Sequence, residues 1–285
     1  MTAPRDFGPL RDIGSEGLFP RFFAGLRAVP AGVGLVFRDR ALLRLSLVLM
    51  LIHALIFAGM ITLFVSKKDP LAAWILPDSG WFSSPAWAVL LGIFLWVLAV
   101  LFAYVGSILV GSVVCDPLYD LLSERTEEIF VGRHVGPPFS VRLILRGIAI
   151  ELWATVLRLL VYGAVAIPLL LLSFTPLGFA SGPLALVWTW LFLAYEFLSR
   201  SLTRHAVDPQ RRFEPLFANK VLCAGFGFGA WVVSFIPATA PFLVVGATRL
   251  YLSLAAHGRA PSKLSDDEKA RLASSPAGAP LTTPD

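Results

Sequence analysis

Arg21, Gly25, Leu26 and Arg27 are the first residues along the chain whose types and spacing suggest chemistry. A glycine turn or helix terminus leaves backbone N–H groups unpaired, and guanidinium groups beside them complete what an oxyanion such as sulfate or phosphate needs. A plainer reading stands beside it, in which Gly25 permits close packing and the arginines lie among lipid headgroups. The second group is the run Asp116-Pro117-Leu118-Tyr119-Asp120-Leu121-Leu122-Ser123-Glu124-Arg125-Thr126-Glu127-Glu128. Asp followed by Pro predicts a helix start, because Asp accepts the first orphan N–H bonds and Pro is tolerated at the first helical position. Asp116, Asp120, Glu124 and Glu127 then fall on one face, at i, i+4, i+8 and i+11. Such a stripe suits a divalent cation, arginines of another helix or ions near a pore; for Asp116 and Asp120 a solvated face favoured by the helix dipole serves equally. Glu124 and Glu127 need partners more, and Arg125, Arg142 and Arg146 are the obvious ones. The third group is Glu196, Arg200 and Arg249, charges set in apolar arms, where they face a protein interior, a partner or water. A Glu196–Arg249 ion pair is one expectation, and interfacial snorkelling is the other.

Other chemistries lack their residues. His53, His134, His205 and His257 are scattered, with no H-E-x-x-H pattern and no adjacent ligand set, so no metal site is expected. Cys115 and Cys223 form no C-x-x-C pair and read as small packing residues. There is no G-x-S-x-G and no P-loop; Gly225-Phe226-Gly227-Phe228-Gly229 lacks the strand and lysine of a phosphate loop and reads as a close helix contact in lipid. No catalytic residue and no cofactor are expected.

The elements that position these groups belong to a membrane. Of 285 residues 56% are hydrophobic and only 15% charged, which excludes an ordinary soluble domain with about 25% charged residues. Four charge-free blocks stand out, 45–66, 79–115, 159–195 and 221–248. The first has the roughly 20 residues that cross about 30 Å of hydrocarbon, and the second runs without proline from Pro85 to Cys115, long enough to span with a tilt. The third and fourth are broken, by Thr175-Pro176-Leu177-Gly178 with Ser181-Gly182-Pro183, and by Ile236-Pro237 with Ala240-Pro241. Their uninterrupted apolar arms are too short to span comfortably, and the last one carries Arg249. The expected fold is therefore all-α and integral to the membrane. It has two long transmembrane helices, about 45–66 and 85–115, and two membrane-dipping (re-entrant) helical hairpins, about 159–203 and 220–256, with four ordinary short spans joined by tight external turns as the alternative to the hairpins. Amphipathic cytoplasmic helices occupy 116–158.

Three regions follow: an interfacial amphipathic N-terminus over 1–40, one membrane domain over 41–257, and a disordered tail over 258–285. Within the tail, Ser265 and Glu268 have the spacing of a capping box. Twenty-two of the 24 Lys and Arg residues fall on one side of the expected spans, which places that side and both termini in the cytoplasm. The net charge of +5 is thus a membrane orientation signal, and no nucleic-acid partner is expected.

Taken in order, Gly25-Leu26-Arg27, the 116–127 run, Gly225-Phe-Gly-Phe-Gly, Ile236-Pro237 and Val245-Gly-Ala-Thr-x-Leu250 resemble the CysZ-type sulfate permeases and their etoposide-induced eukaryotic relatives. The resemblance covers roughly residues 15–255. It implies a homo-oligomeric protein of the bacterial inner membrane with two long spans and two dipping hairpins. It also implies sulfate held at Gly25, Leu26 and Arg27 by backbone amides and arginine side chains, with Arg21 nearby. Glu124, Arg125, Glu127, Glu196 and Arg249 are then candidates for a pore or ion network. Two positions depart from the pattern, Ala28 where members can place a second arginine and Asp116 where relatives often have an uncharged residue. The leading expectation is sulfate uptake, channel-like or ion-coupled, in contact with membrane lipid. The alternative is a non-transporting membrane scaffold or lipid-interacting protein.

Overall fold

The computed structural model describes residues 17–75, 85–133, 141–176, 178–205, 207–236 and 239–274. Among them the chain is helical, without a strand. The elements are α1 (Leu18–Arg38), α2 (Arg40–Ile75), α3 (Pro85–Val131), α4 (Val141–Ser173), α5 (Gly178–Arg204), a 3₁₀ turn (Pro209–Phe213), α6 (Glu214–Ala218), α7 (Lys220–Ser234), α8 (Ala240–Ala256) and α9 (Asp266–Ser274).

Among the described residues three helices contain stretches long and apolar enough to cross a membrane: 27 residues of α2 (Arg40–Ser66), 18 of α4 (Val156–Ser173) and all 27 of α5. Their flanks are apolar and exposed, as lipid-facing surface must be, with Leu51, Leu55, Leu160 and Leu171 each more than 60% exposed. Residues 174–177 separate α4 from α5, where Pro176 was expected to break the chain, but Ser181-Gly182-Pro183 lies inside α5 and breaks nothing. Nor do the arms end where their charges begin. Arg158 lies within α4 and Glu196 within α5, and the two pair at 2.6 Å, so a charge taken from sequence as an arm boundary is neutralised between the helices. This lengthens both arms beyond the short, shallow ones expected.

The Asp-Pro pair also behaves differently from its local signal. α3 runs for 47 residues straight through Pro117. The start that Asp116 and Pro117 suggest is overridden by packing: Asp116 is held by Arg200 of α5, and Tyr119, one turn on, is buried beneath the same guanidinium at 4.8 Å. A proline within a membrane helix is tolerated when neighbouring helices hold the chain in place. Along its apolar part α3 pairs with α2, with Phe64 and Phe102 stacked at 5.8 Å. Gly111 leaves room for the His53 ring, whose Nε2 a β-carbon there would approach to 2.6 Å. His53 is a hydrogen-bonded packing residue, with Nδ1 at 3.0 Å from the Leu49 carbonyl and Nε2 at 3.3 Å from the Tyr119 hydroxyl.

The core of the fold is the contact of α1 with α7 and α8. α1 is more than an interfacial helix: Ala24, Gly25, Ala28, Val29, Gly32, Leu35 and Val36 form a buried stripe. A β-carbon on Gly25 would lie 1.9 Å from the Leu222 carbonyl oxygen, and one on Gly225 would lie 1.9 Å from that of Phe22. On the other face of α7, a β-carbon on Gly227 would lie 1.8 Å from the Trp190 carbonyl oxygen of α5, and one on Gly32 would lie 2.6 Å from the Gly246 nitrogen of α8. Backbones therefore touch where lipid solvent supplies no hydrophobic drive and close van der Waals contact must hold helices together. Cys115 and Cys223 are free thiols, both buried.

α7 and the segment before it, Pro209–Ala218, meet at 96°. At that corner the Asn219 side-chain amide donates to the Pro215 carbonyl at 3.0 Å. α7 and α8 follow one another across a break at 235–239, with α1 packed against both and Pro237 and Ala238 outside the described residues. Past α8, residues 259–274 fold back on the bundle, with Ala260 and Leu264 buried. α9 opens with a reciprocal capping box: Ser265 N–H donates to Glu268 Oε2 at 2.7 Å, and Glu268 N–H to Ser265 Oγ at 3.2 Å. Glu268 also takes a bidentate grip from Arg133, at 2.6 and 3.1 Å. Residues 1–16 and 275–285 of the expected terminal regions lie outside the described residues.

Two predictions follow. Gly25→Ala and Gly225→Ala force backbones apart and should each destabilise the protein by about 1–3 kcal/mol, whereas Gly59→Ala and Gly92→Ala, with open space around them, should be neutral or stabilising. Thermal unfolding in detergent reads the difference. The Arg133 hydrogen bonds hold the Glu268 carboxyl at about 2, below its ordinary 4.5. Its stabilising contribution is therefore present above about pH 4.5 and lost as the pH falls towards 2, and Arg133→Ala should remove the larger part of that acid-dependent component of unfolding, the Ser265 hydrogen bonds keeping the rest.

Candidate functional site

The expected oxyanion residues lie within α1, not at its end. Gly25, Leu26 and Arg27 are eight to ten residues into a 21-residue helix, so their N–H groups belong to intrahelical bonds. Gly25 is buried against Leu222, which is the close-packing use of that glycine. Leu26 and Arg27 line a cavity of about 480 Å³ between α1 and α7, whose other walls include Val29, Pro30, Phe228 and Val232. The cavity is apolar except for Arg27, whose side chain is on the exposed side of α1, while Arg21 lies half-buried nearer its start. Without an open helix terminus, side-chain guanidinium groups are what this segment offers an anion.

The acidic stripe is brought together with cations, though not those nearest in sequence. α3 presents Asp116, Asp120 and Glu127 to Arg200, Arg204 and His205 at the end of α5. Asp116 pairs with Arg200, and Arg204 donates to the Asp120 carbonyl at 2.7 Å. Glu127 has Arg204 at 3.2 Å and His205 at 3.4 Å. Arg125 instead makes an i,i+3 pair with Glu128 at 2.6 Å on the surface. Arg142 and Arg146 are outside the described side chains. Glu196 takes Arg158, so the expected Glu196–Arg249 pair is not formed; Arg249 is buried in α8 on the α1 side of the bundle, with Arg38 as the like charge that acts on it.

Around Glu127 the seam is polar and dry. Ser123, Thr126, Glu127, Ser201 and Thr248 are each at most 1% exposed. Ser123 Oγ sits 2.8 Å from Thr248 and 3.4 Å from Ser201, and Arg204 donates to it at 3.3 Å, so three helices share one hydroxyl. Neither oxygen of Glu127 has a partner in hydrogen-bond geometry among the described residues. A buried carboxylate held only by distance is costly, since desolvating it takes several kcal/mol that loose contacts return incompletely. His205 has a defined tautomer. The backbone N–H of Lys263 donates to its Nδ1 at 3.0 Å, so the ring proton of the neutral form is on Nε2, towards Glu127. Sequence reasoning placed Glu127 in a charged network but missed Arg204 and His205; the spacing of Glu196, Arg200 and Arg204 at i, i+4 and i+8, matching that of the acidic stripe, was the available signal.

No described group of three His, Cys, Asp or Glu side chains is arranged to hold a metal ion. The site holds opposite charges in loose contact.

Replacing Glu127 with Leu leaves Arg204 buried without its counter-ion and should destabilise the protein by about 3–5 kcal/mol, while the double variant Glu127→Leu/Arg204→Met should recover much of that loss. A double-mutant cycle on unfolding in detergent measures it.

Comparison with known proteins now places the chain. The profile of the family described as Sulfate transporter CysZ/Etoposide-induced protein 2.4 matches residues 28–244, beginning one residue after Arg27. A protein of Pseudomonas paraeruginosa called Sulfate transporter CysZ is 26% identical over 231 residues, covering 78% of this chain and 92% of the relative. Proteins of the same name from two strains of Pseudomonas aeruginosa match to the same extent. With its apolar helices and a match across most of its length, the chain is a multi-pass membrane protein that belongs to the Sulfate transporter CysZ/Etoposide-induced protein 2.4 family.

Proposed function

We propose that this protein is a sulfate permease that mediates oxyanion uptake across the bacterial inner membrane, channel-like or ion-coupled, and is not an enzyme. The observation that carries the reading is family membership over residues 28–244, with relatives called sulfate transporters covered over 92% of their length. In this reading residues 41–257 are one membrane domain with both termini cytoplasmic. α2 and α3 are its long spans, α4 and α5 are two arms long enough to cross, α7 and α8 dip into the membrane, and copies associate as a homo-oligomer.

Arg21 and Arg27 are the side chains that meet sulfate. Gly25 and Leu26 act by setting where Arg27 stands, Gly25 through its contact with Leu222 and Leu26 through the cavity wall. The polar seam between α3 and α5 is the gate. A dianion leaving water needs cations ready to replace its hydration, and Arg204 supplies one by exchanging its loose hold on Glu127 for the anion. In this reading Glu124, Arg125, Glu196 and Arg249 are the rest of the charged network. No ATP-binding motif is present in the sequence, so the driving force in this reading is the sulfate gradient or a coupled ion.

A second reading, a lipid-interacting scaffold, is favoured by one feature, the apolar cavity with Arg27 at its wall, which suits an acyl chain and a headgroup phosphate. Radiolabelled sulfate uptake into proteoliposomes separates the two. The permease reading predicts saturable uptake that falls about tenfold in Arg27→Ala, the loss of one charge-assisted anion contact. Uptake no greater than in empty vesicles, together with binding that depends on anionic lipid, would favour the scaffold.

A further inference from the structure

The segment after α8 is tied to the polar seam through a histidine nitrogen that can accept a hydrogen bond only while it carries no proton. Its first tie is the Tyr251 hydroxyl, which donates to the Pro261 carbonyl at 2.8 Å. Its second is the Lys263 N–H on His205 Nδ1 at 3.0 Å. Its third is the Arg133 grip on Glu268, just past the capping box at Ser265. Between them Ala260 and Leu264 are buried, and His205 itself is 3% exposed. The first and third ties do not involve His205; the second requires the lone pair of its Nδ1.

A backbone N–H is always a donor, so Nδ1 can accept it only while unprotonated. A proton arriving from water at Nδ1 turns the acceptor into a second donor, and Lys263 N–H then faces N–H. The charged groups around the ring are Glu127 of α3, which favours the imidazolium through Nε2, and Arg204 of α5, which opposes it. From α8 the Tyr251 ring packs on the imidazole at 5.1 Å between centroids, and Arg212 lies beyond Tyr251 in a shared small cavity. Whichever of Glu127 and Arg204 prevails, protonation and the Lys263 hydrogen bond exclude one another.

We propose that residues 259–268 are a strap over the α3–α5 seam, latched by neutral His205 and released when Nδ1 takes up a proton. The strap closes the polar cluster of Glu127, Arg204 and His205 at neutral pH and opens it in acid. It does not depend on which solute crosses the membrane, so it stands or falls apart from the permease reading. The Glu268 anchor, held at about 2, stays ionised through mild acid, so the Arg133 tie persists while the His205 latch opens.

Hydrogen exchange of the full-length protein in detergent tests this, at about pH 7.5 and about pH 5.5, with rates corrected for the intrinsic pH dependence of exchange. The expected result is that amides of 259–265 exchange about tenfold or more faster in acid, while those of α7 do not change. His205→Asn places a non-titrating amide oxygen near Nδ1 and should keep the strap protected equally at both pH values. Lys263→Pro removes the donor and should leave the strap fast-exchanging at both. Equal protection of the wild-type strap at the two pH values, or a pH step that persists in His205→Asn or Lys263→Pro, would overturn the proposal.

Discussion

Helices in lipid gain little by hiding apolar side chains from one another, so this fold depends on how closely its backbones can approach. Gly25 on Leu222, Gly225 on Phe22 and Gly227 on Trp190 bring α1, α7 and α5 into direct main-chain contact. That contact draws α1 out of the interface and into the body of the protein. It also fixes where Arg27 stands and what it faces, because Leu26, Val29 and Pro30 of α1 and Phe228 and Gly229 of α7 build the cavity wall around it. A larger residue at Gly25 or Gly225 would move the helix that carries the arginines as well as loosen the packing.

The second organising feature is electrostatic. α3 continues past its apolar part as an acidic helix, and α5 ends in Arg200, Arg204 and His205 at the matching height. Outer members of the seam are conventional surface-edge pairs, with Asp116 half exposed. The inner member, Glu127 with Arg204 and His205, is dry and imperfectly bonded. A joint whose only task was to hold two helices together would be more stable with apolar side chains there. A buried polar seam of loose contacts is better suited to a place that changes partners, which is the role given to it in the permease reading.

Much of this was legible in the sequence. The break before Gly178, the close-contact use of the glycines and the capping box at Ser265 all follow from local chemistry that the fold leaves undisturbed. What local signals misjudged was decided by contacts distant in sequence. Pro117 carries the signal of a helix start, yet Arg200, 84 residues away, holds Asp116 within a continuous helix. Arg158 and Glu196 look like the ends of apolar arms until the fold sets them 2.6 Å apart. Gly25-Leu26-Arg27 suggested free amides because an interfacial segment was expected there, and a full helix consumes them. The ties of the last segment to His205 and Arg133 have no periodicity of their own, and only the folded chain reveals them.

The central functional claim is that the α3–α5 seam separates when an anion passes. Ser123 and Ser201 face each other across it with their hydroxyl oxygens 3.4 Å apart, so cysteines at both positions could be joined with little rearrangement. The decisive measurement is sulfate uptake by proteoliposomes carrying Ser123→Cys/Ser201→Cys, with Cys115 and Cys223 replaced by alanine, before oxidation, after it and after reduction. A moving seam predicts uptake that falls to the level of empty vesicles on oxidation and returns on reduction. Full uptake through the cross-linked protein would contradict the account and leave the seam a static joint.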